Sequence, residues 1–282
     1  MTQEEFDAFL KTSNSSIKTI DAEQEDFSGL NLRKAHFSDS NFRGANFSGT
    51  VMDGCWFENC DMKESDLRKA SLNKAKFHES NLTLAIFDGS SMLGIIVSDS
   101  LFYDTDLIEV EMKSSYIKNT NMEGANLSYS FLKYSEFDNV NLRKSKMKNA
   151  MMDNSDFKKV DFTNSNMSAI NLSRSVFYNS CFIKANLSEA DLSGITARHT
   201  VFYRAKIVSA LMTSATLKGN NFEEASLKGS NLSGSNLYGA NLRRADLLES
   251  NLSGSNLYGA NLKNALIELS SFADHGEEES SL

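Results

Sequence analysis

The chain has 282 residues and no proline, against a usual share of about 5%. A fold in which nearly every backbone N–H is needed by a neighbour excludes proline, which has no N–H to donate. Cysteine is sparse, at three residues. That excludes a disulfide-stapled scaffold and suits a reducing cytoplasm, the expected location. The first residues, MTQEEFDAFL, hold neither a cationic stretch nor an apolar run. Neither a secretory signal nor a membrane-spanning segment is expected, and export as an effector by another route is left open. The spacings that mark common chemistry are missing too: there is no HxxxH, CxxC, Walker or GxGxxG signal. The histidines His36, His78, His199 and His275 are far apart in the chain. No catalytic residue, metal ligand or cofactor is therefore expected.

What the chain does have is a period. A hydrophobic residue recurs every five positions from Phe27 to Phe272, 50 times without a slip, and the smallest occupant is Ala197. Two residues before each lies a small side chain. Ala, Ser, Thr or Cys fills 41 of the 50 sites, and the exceptions include Val140, Val160, Ile195 and Asn220. Sixteen of the 19 Phe and nine of the 11 Met stand in the central column, so little bulk apolar material is left for a second core.

A period of five is neither the 3.6 of a helix nor the 2 of a strand. It requires a chain that turns a corner every five residues. Four sides make a square coil of about 20 residues, and coils stack at about 4.8 Å, as strands do in a sheet. The large residue and the small one two before it point inward; the other three face outward or turn the corner. Asn231–Leu242 reads NLSGSNLYGANL, and Asn251–Leu262 repeats it 20 residues on. Asn or Asp often precedes the central residue, as at Asn31, Asn41, Asp61 and Asp246. Their short side chains bond local backbone and support turns.

The segments ANFSG (Ala45–Gly49), SDLRK (Ser65–Lys69), ANLSE (Ala185–Glu189) and ADLLE (Ala245–Glu249) resemble the pentapeptide-repeat motif A(D/N)Lxx. The resemblance covers about residues 25–272 and implies an all-β fold, a right-handed quadrilateral β-helix of about twelve coils. Residues 1–24 are read as an N-terminal cap. Within it, Thr2 and Glu5 fit a capping box, and a short amphipathic helix is expected over residues 2–12. Residues 273–282 are read as an acidic, disordered tail. Cys55 and Cys60 stand at small inward sites, as packing residues; Cys181 is expected to face outward.

Function is expected on the outside of the rod. Residues 1–141 carry 23 acidic and 13 basic side chains, whereas residues 142–267 carry 9 acidic and 16 basic, a polarity suited to different partners at the two ends. Apolar residues at outward positions form the candidate partner surface: Leu84, Leu93, Ile96, Leu101, Tyr103, Ile108 and Tyr116, with Leu84, Leu101 and Tyr103 on one side of adjacent coils. The leading expectation is a non-enzymatic interaction module, a rigid rod docking a protein partner, in the manner of the effectors and regulators in the family that the chain resembles. The alternative, also implied by the resemblance, is a DNA-mimicking protein that binds DNA gyrase and confers quinolone resistance. Against it stand the basic stretch Arg143–Lys159, the unbroken register and the lack of a C-terminal dimerisation helix. Direct nucleic-acid binding is disfavoured by the net charge of −8. Leu266, Leu269 and Phe272 lie near an open last coil and are candidate contacts for an end-to-end homodimer.

Overall fold

In the computed structural model, Glu4, residues 16–268, Ser270 and Ser271 are described. The chain forms a parallel β-solenoid. Ten three-residue strands, β1 (Ser16–Lys18) to β10 (Thr196–Arg198), make one sheet in strict sequence order. Each residue pairs with the one 20 positions on, as Phe37 does with Phe57 and Phe57 with Phe77. Isolated parallel bridges build the other three faces with the same step: Asn41 to Asp61, Asn46 to Asp66 and Val51 to Ser71. The coil is therefore square, with a side of five residues, and the quadrilateral β-helix expected from the period is what forms.

The first face centres on Ile17 and Phe37, the second on Ala22 and Phe42, the third on Phe27 and Phe47, and the fourth on Leu32 and Met52. All eight side chains are buried. The rod thus starts earlier than the expected boundary at residue 25. Ile17 and Ala22 continue the register upstream, and the chain is already paired at Ser16. The register is easily missed there because alanine is common and carries little signal. The helix expected over residues 2–12, apart from Glu4, and the tail from residue 273 lie outside the described residues.

Stacking sets the interior. Phe162, Phe182, Phe202 and Phe222 follow one another on the second face with ring centroids 4.7, 4.8 and 4.6 Å apart and planes within 10°. One large ring per rung leaves room for a small partner, so Ala185, Ala205 and Ala225 are also fully buried. Repeats contact their neighbours and little else, so stability is a sum along the rod.

Corners are made by a left-handed residue two after each central one. At most corners the N–H three residues beyond the central residue returns to its carbonyl, as Ala45 N does to Phe42 O at 3.0 Å. The first face differs. From Phe37 to Ala197 it forms no such bond, and on three of these coils the N–H goes to a hydroxyl on the next coil: Cys60 N to Ser80 Oγ at 3.2 Å, Ser80 N to Ser100 Oγ at 3.1 Å and Val160 N to Ser180 Oγ at 3.3 Å. The fourth face opens in the same way over a shorter run, where Ser115 N, Ser135 N and Ser155 N each go to a hydroxyl on the next coil. From Leu217 onward the first face also closes its turns, with Asn220 N to Leu217 O at 3.2 Å and Ala240 N to Leu237 O at 2.9 Å. Strand geometry on the face ends there, at β10.

Candidate functional site

The outer surface is set by residue number modulo 20. The seven candidate partner residues consequently spread over four faces. Leu84, Leu101 and Tyr103 share the second face; Ile96 and Tyr116 pair with each other on the first; Leu93 stands on the fourth and Ile108 on the third. Leu84, Leu93, Ile96, Leu101 and Tyr103 are exposed, while Ile108 and Tyr116 are half-buried. The seven are one cluster in sequence and not in space. The three residues of the second face are brought together: Leu84 N donates to Tyr103 O at 3.0 Å, and Leu101 bridges Asn81 on one side and Asn121 on the other.

Each of these three places an apolar or aromatic side chain where both adjacent coils carry a polar one. Leu84 occupies a left-handed corner at φ 60°, a position held on the adjacent coils by the polar Glu64 and Asp104 and two coils away by Gly44 and Gly124. A left-handed backbone costs roughly 1–2 kcal/mol for a residue with a Cβ, and Leu84 gains no burial in return, being 46% exposed. Leu101 interrupts a polar column. Asn41, Asn81 and Asn121 each accept the N–H two residues on with Oδ1, at 3.1 Å in all three, and a leucine cannot. Leu101 is 46% exposed and Tyr103 42%. Asp104, beside Tyr103, makes no ion pair within the described residues.

A second outward ladder, part exposed and part half-buried, runs along the first face, where the sequence singles out Ile96 and Tyr116 alone. His36 stacks on Trp56 with centroids 4.2 Å apart and planes at 7°, and Lys76 Nζ sits 5.9 Å from the Trp56 ring. Pairing by twenties carries the line through Ile96 to Tyr116. The signal that would have revealed it is residue type read at steps of 20. His36 Nε2 also lies 3.1 Å from Glu58 Oε2, and His78 Nδ1 lies 2.8 Å from Ser98 Oγ. These are neighbouring-coil contacts along an open face. Among the described residues, no group of three or more His, Cys, Asp or Glu has an arrangement that holds a metal ion.

Cys55 and Cys60 are buried, as their inward positions require. Burial pushes the Cys55 thiol up to about 12 and Cys60 to about 11. Cys181 is half-buried, with Thr163 Oγ1 3.5 Å from its sulfur. Of the candidate dimer contacts, Leu266 is 54% exposed; Leu269 and Phe272 lie outside the described residues.

The square coil with a five-residue side is matched by a known repeat pattern. The profile of pentapeptide repeats matches residues 120–158, 155–194, 198–234 and 235–272 in its eight-copy form, and residues 27–71 in a nine-copy form. The chain belongs to the pentapeptide-repeat family. No curated protein was found to match it. Among solved structures, this pentapeptide-repeat chain is similar to HetL of the cyanobacterium Nostoc sp. strain PCC 7120, a protein involved in regulating heterocyst differentiation. The two are 20% identical over 89% of this chain and 93% of HetL, with a TM-score of 0.33. A pentapeptide-repeat protein of the Arabidopsis thaliana thylakoid lumen is 32% identical over 32% of this chain and 67% of its own, with a TM-score of 0.21. QnrB1, a plasmid-mediated fluoroquinolone resistance protein, is 16% identical over 66% and 94% respectively, with a TM-score of 0.26. Among the described residues, no helix is long and apolar enough to cross a membrane.

Proposed function

We propose that this protein is a non-enzymatic docking rod of a reducing, cytoplasmic compartment that presents the Leu84–Leu101–Tyr103 surface to a protein partner. The supporting observation is the coincidence of three departures on one face: an apolar residue in a strained corner, a leucine in an Asn/Asp column, and an exposed tyrosine between them. None of the three contributes to the interior, and Leu101 loses the hydrogen bond that Asn81 and Asn121 make on the neighbouring coils. A partner recovers that loss by covering apolar area. Asp104 at the rim favours a partner with a cation beside its apolar contact.

The gyrase-binding reading receives less support. A continuous anionic surface is needed to imitate DNA, yet carboxylates of this rod are repeatedly met by cations of adjacent coils. Glu123 is bonded to Lys144 at 2.8 Å and Glu224 to Arg204 at 2.7 Å.

The test is a photo-crosslinking residue at position 101 in the native cell, with and without Leu84→Ser and Tyr103→Ser. A discrete crosslinked product that disappears in the double variant, with an unchanged thermal midpoint, is the expected result. A product that persists in the double variant, or one formed equally from a crosslinker at the outward site Ser188, sinks the proposal.

A further inference from the structure

Each corner residue has its own hydrogen-bond obligation. From Thr19 to Glu249, every corner N–H donates to a carbonyl on the next coil, 19 residues on, at 3.4 Å or less, except that of His199. Lys218 O is the acceptor that the pattern assigns to it, and that bond is not formed. The break falls where the first face changes its turn: open at Ala197, closed at Leu217. The His199 N–H is the one corner donor in this run left without a backbone partner. An unpaired backbone N–H seeks an acceptor from solvent or a ligand.

The surroundings of this donor are cationic. A surface recess of about 490 Å³ opens at the step, lined by Ala197, Arg198, His199, Thr216, Lys218 and Gly219. No carboxylate is among them. Arg198 and Lys218 form no ion pair with any described residue, unlike Arg204 and Lys158 nearby, which pair with Glu224 and Asp138. The corner column is Asn179, His199, Gly219 and Gly239, so side chains stop at the recess and leave it open on one side. A Cβ built on Gly219 meets nothing within 4 Å. Aromatic rings bound the site along the rod. Tyr178 meets His199 edge-on at 5.8 Å, and Lys218 Nζ lies 4.8 Å from the Tyr238 ring.

From this geometry we infer that the step between Arg198 and Lys218 is a phosphate-binding site, in which the His199 N–H, the Arg198 guanidinium and the Lys218 ammonium converge on one oxyanion. A guanidinium supplies a two-pronged donor to phosphate, an ammonium a movable point charge, and an oriented backbone N–H fixes the direction. The site lies on another face and further along the rod than the Leu84–Tyr103 surface, and does not depend on it.

The full-length ¹⁵N-labelled protein is titrated with inorganic phosphate at constant ionic strength, in parallel with adenosine monophosphate and a phosphoserine peptide. The expected result is a saturable shift of the His199 amide, with affinity falling about tenfold or more in Arg198→Ala and in Lys218→Ala. Both side chains are exposed, so the fold is retained, which the unshifted amides of distant coils report. Whichever of the three ligands saturates at the lowest concentration identifies the source of the phosphate. Failure of all three to move His199, or undiminished affinity in the Arg198→Ala/Lys218→Ala variant, overturns the inference.

Discussion

Asn220 Nδ2 donates to the carbonyl of Ala197 at 2.9 Å, and Asn220 Oδ1 accepts the N–H of Thr200 at the same distance. Two irregularities of the sequence meet in this contact. Ala197 is the smallest residue in the central column from Phe27 to Phe272, and Asn220 is the one carboxamide in the small-residue column. On two earlier coils of this face the paired bonds are made by hydroxyls: Ser80 Oγ bonds Phe57 O and Cys60 N, each at 3.2 Å, and Ser180 Oγ bonds Phe157 O at 3.2 Å and Val160 N at 3.3 Å. At the change of turn a longer side chain spans both groups, and Ala197 leaves space beneath it. Beyond the junction the turns close on themselves, and the column reads Ala240 and Ala260, which bring no hydrogen-bonding group.

Asn220→Ala therefore strands a buried N–H and a buried carbonyl together. A loss of roughly 1–3 kcal/mol per unsatisfied group is expected, read as a lower urea midpoint. Asn220→Ser is expected to lose less, because a hydroxyl performs both tasks at Ser80 and Ser180. Equal losses in the two variants would mean that side-chain length, and not the paired hydrogen bonds, matters at this position.

The interior of the rod was legible because its signal is one-dimensional: a bulky residue every five positions needs no knowledge of what it touches. Ile17 and Ala22 fell outside the reading because they follow the less regular residues before position 16, and an alanine says little. The surface was much less legible. Leu93, Ile96 and Leu101 lie within nine residues of one another yet point from three different faces, because each corner turns the chain through a quarter of the square. Residues that truly adjoin, such as His36 and Trp56, are 20 apart. The phosphate recess had no trace in the sequence at all. It lies where the first face changes its turn, and Asn220 registered as an exception without revealing which bonds it makes.

Thiol chemistry gives a simple check on the inward column. Burial raises the Cys55 and Cys60 thiols to about 12 and about 11, so neither is a thiolate at neutral pH, and neither is accessible. Cys181 is half-buried and open to reagent in part. Iodoacetamide at pH 8 should modify one thiol in the native protein, at Cys181, and three in denaturant. Mass spectrometry that finds modified Cys55 or Cys60 in the native protein would contradict the packing of those coils.

Two carboxylates on neighbouring faces respond to acid in opposite directions. Burial opposes ionisation of Asp53, but the Ser71 hydroxyl, the Asn73 N–H and Arg33 outweigh it and hold its carboxyl below the ordinary 3.8. The stability this confers is present above 3.8 and is lost as pH falls through the depressed value. Asp106 is raised, by burial and then by the charge of Asp88, and its Oδ1 has no partner. Its ionised form therefore costs stability above the raised value and nothing below 3.8. Asp106→Asn is expected to raise the thermal midpoint at pH 7 and to have no such benefit at pH 3. A benefit of equal size at both pH values would show that the charge is not its source.

Register itself can be tested at Leu142. Inserting one residue after it moves every later central site back by one, so the sites of Met147, Phe157, Phe162 and Met167 would receive Lys146, Asp156, Asp161 and Asn166. Those four side chains are outward in the native rod, and burying even one unpaired charge costs several kcal/mol. Inserting a second copy of residues 143–162 instead adds a whole coil and leaves each later residue on its own face, because pairing is by twenties. The single insertion is expected to abolish the cooperative transition of the C-terminal coils in urea, followed by the β-sheet circular dichroism signal. The twenty-residue insertion is expected to keep the midpoint and raise the m-value in proportion to the added buried surface. One route would spare the single insertion: a corner could bulge and take up the extra residue locally, as strands do at bulges. That outcome would leave the midpoint close to wild type and would mean that the corners, with their left-handed residues, tolerate a change of side length that the stacked interior does not.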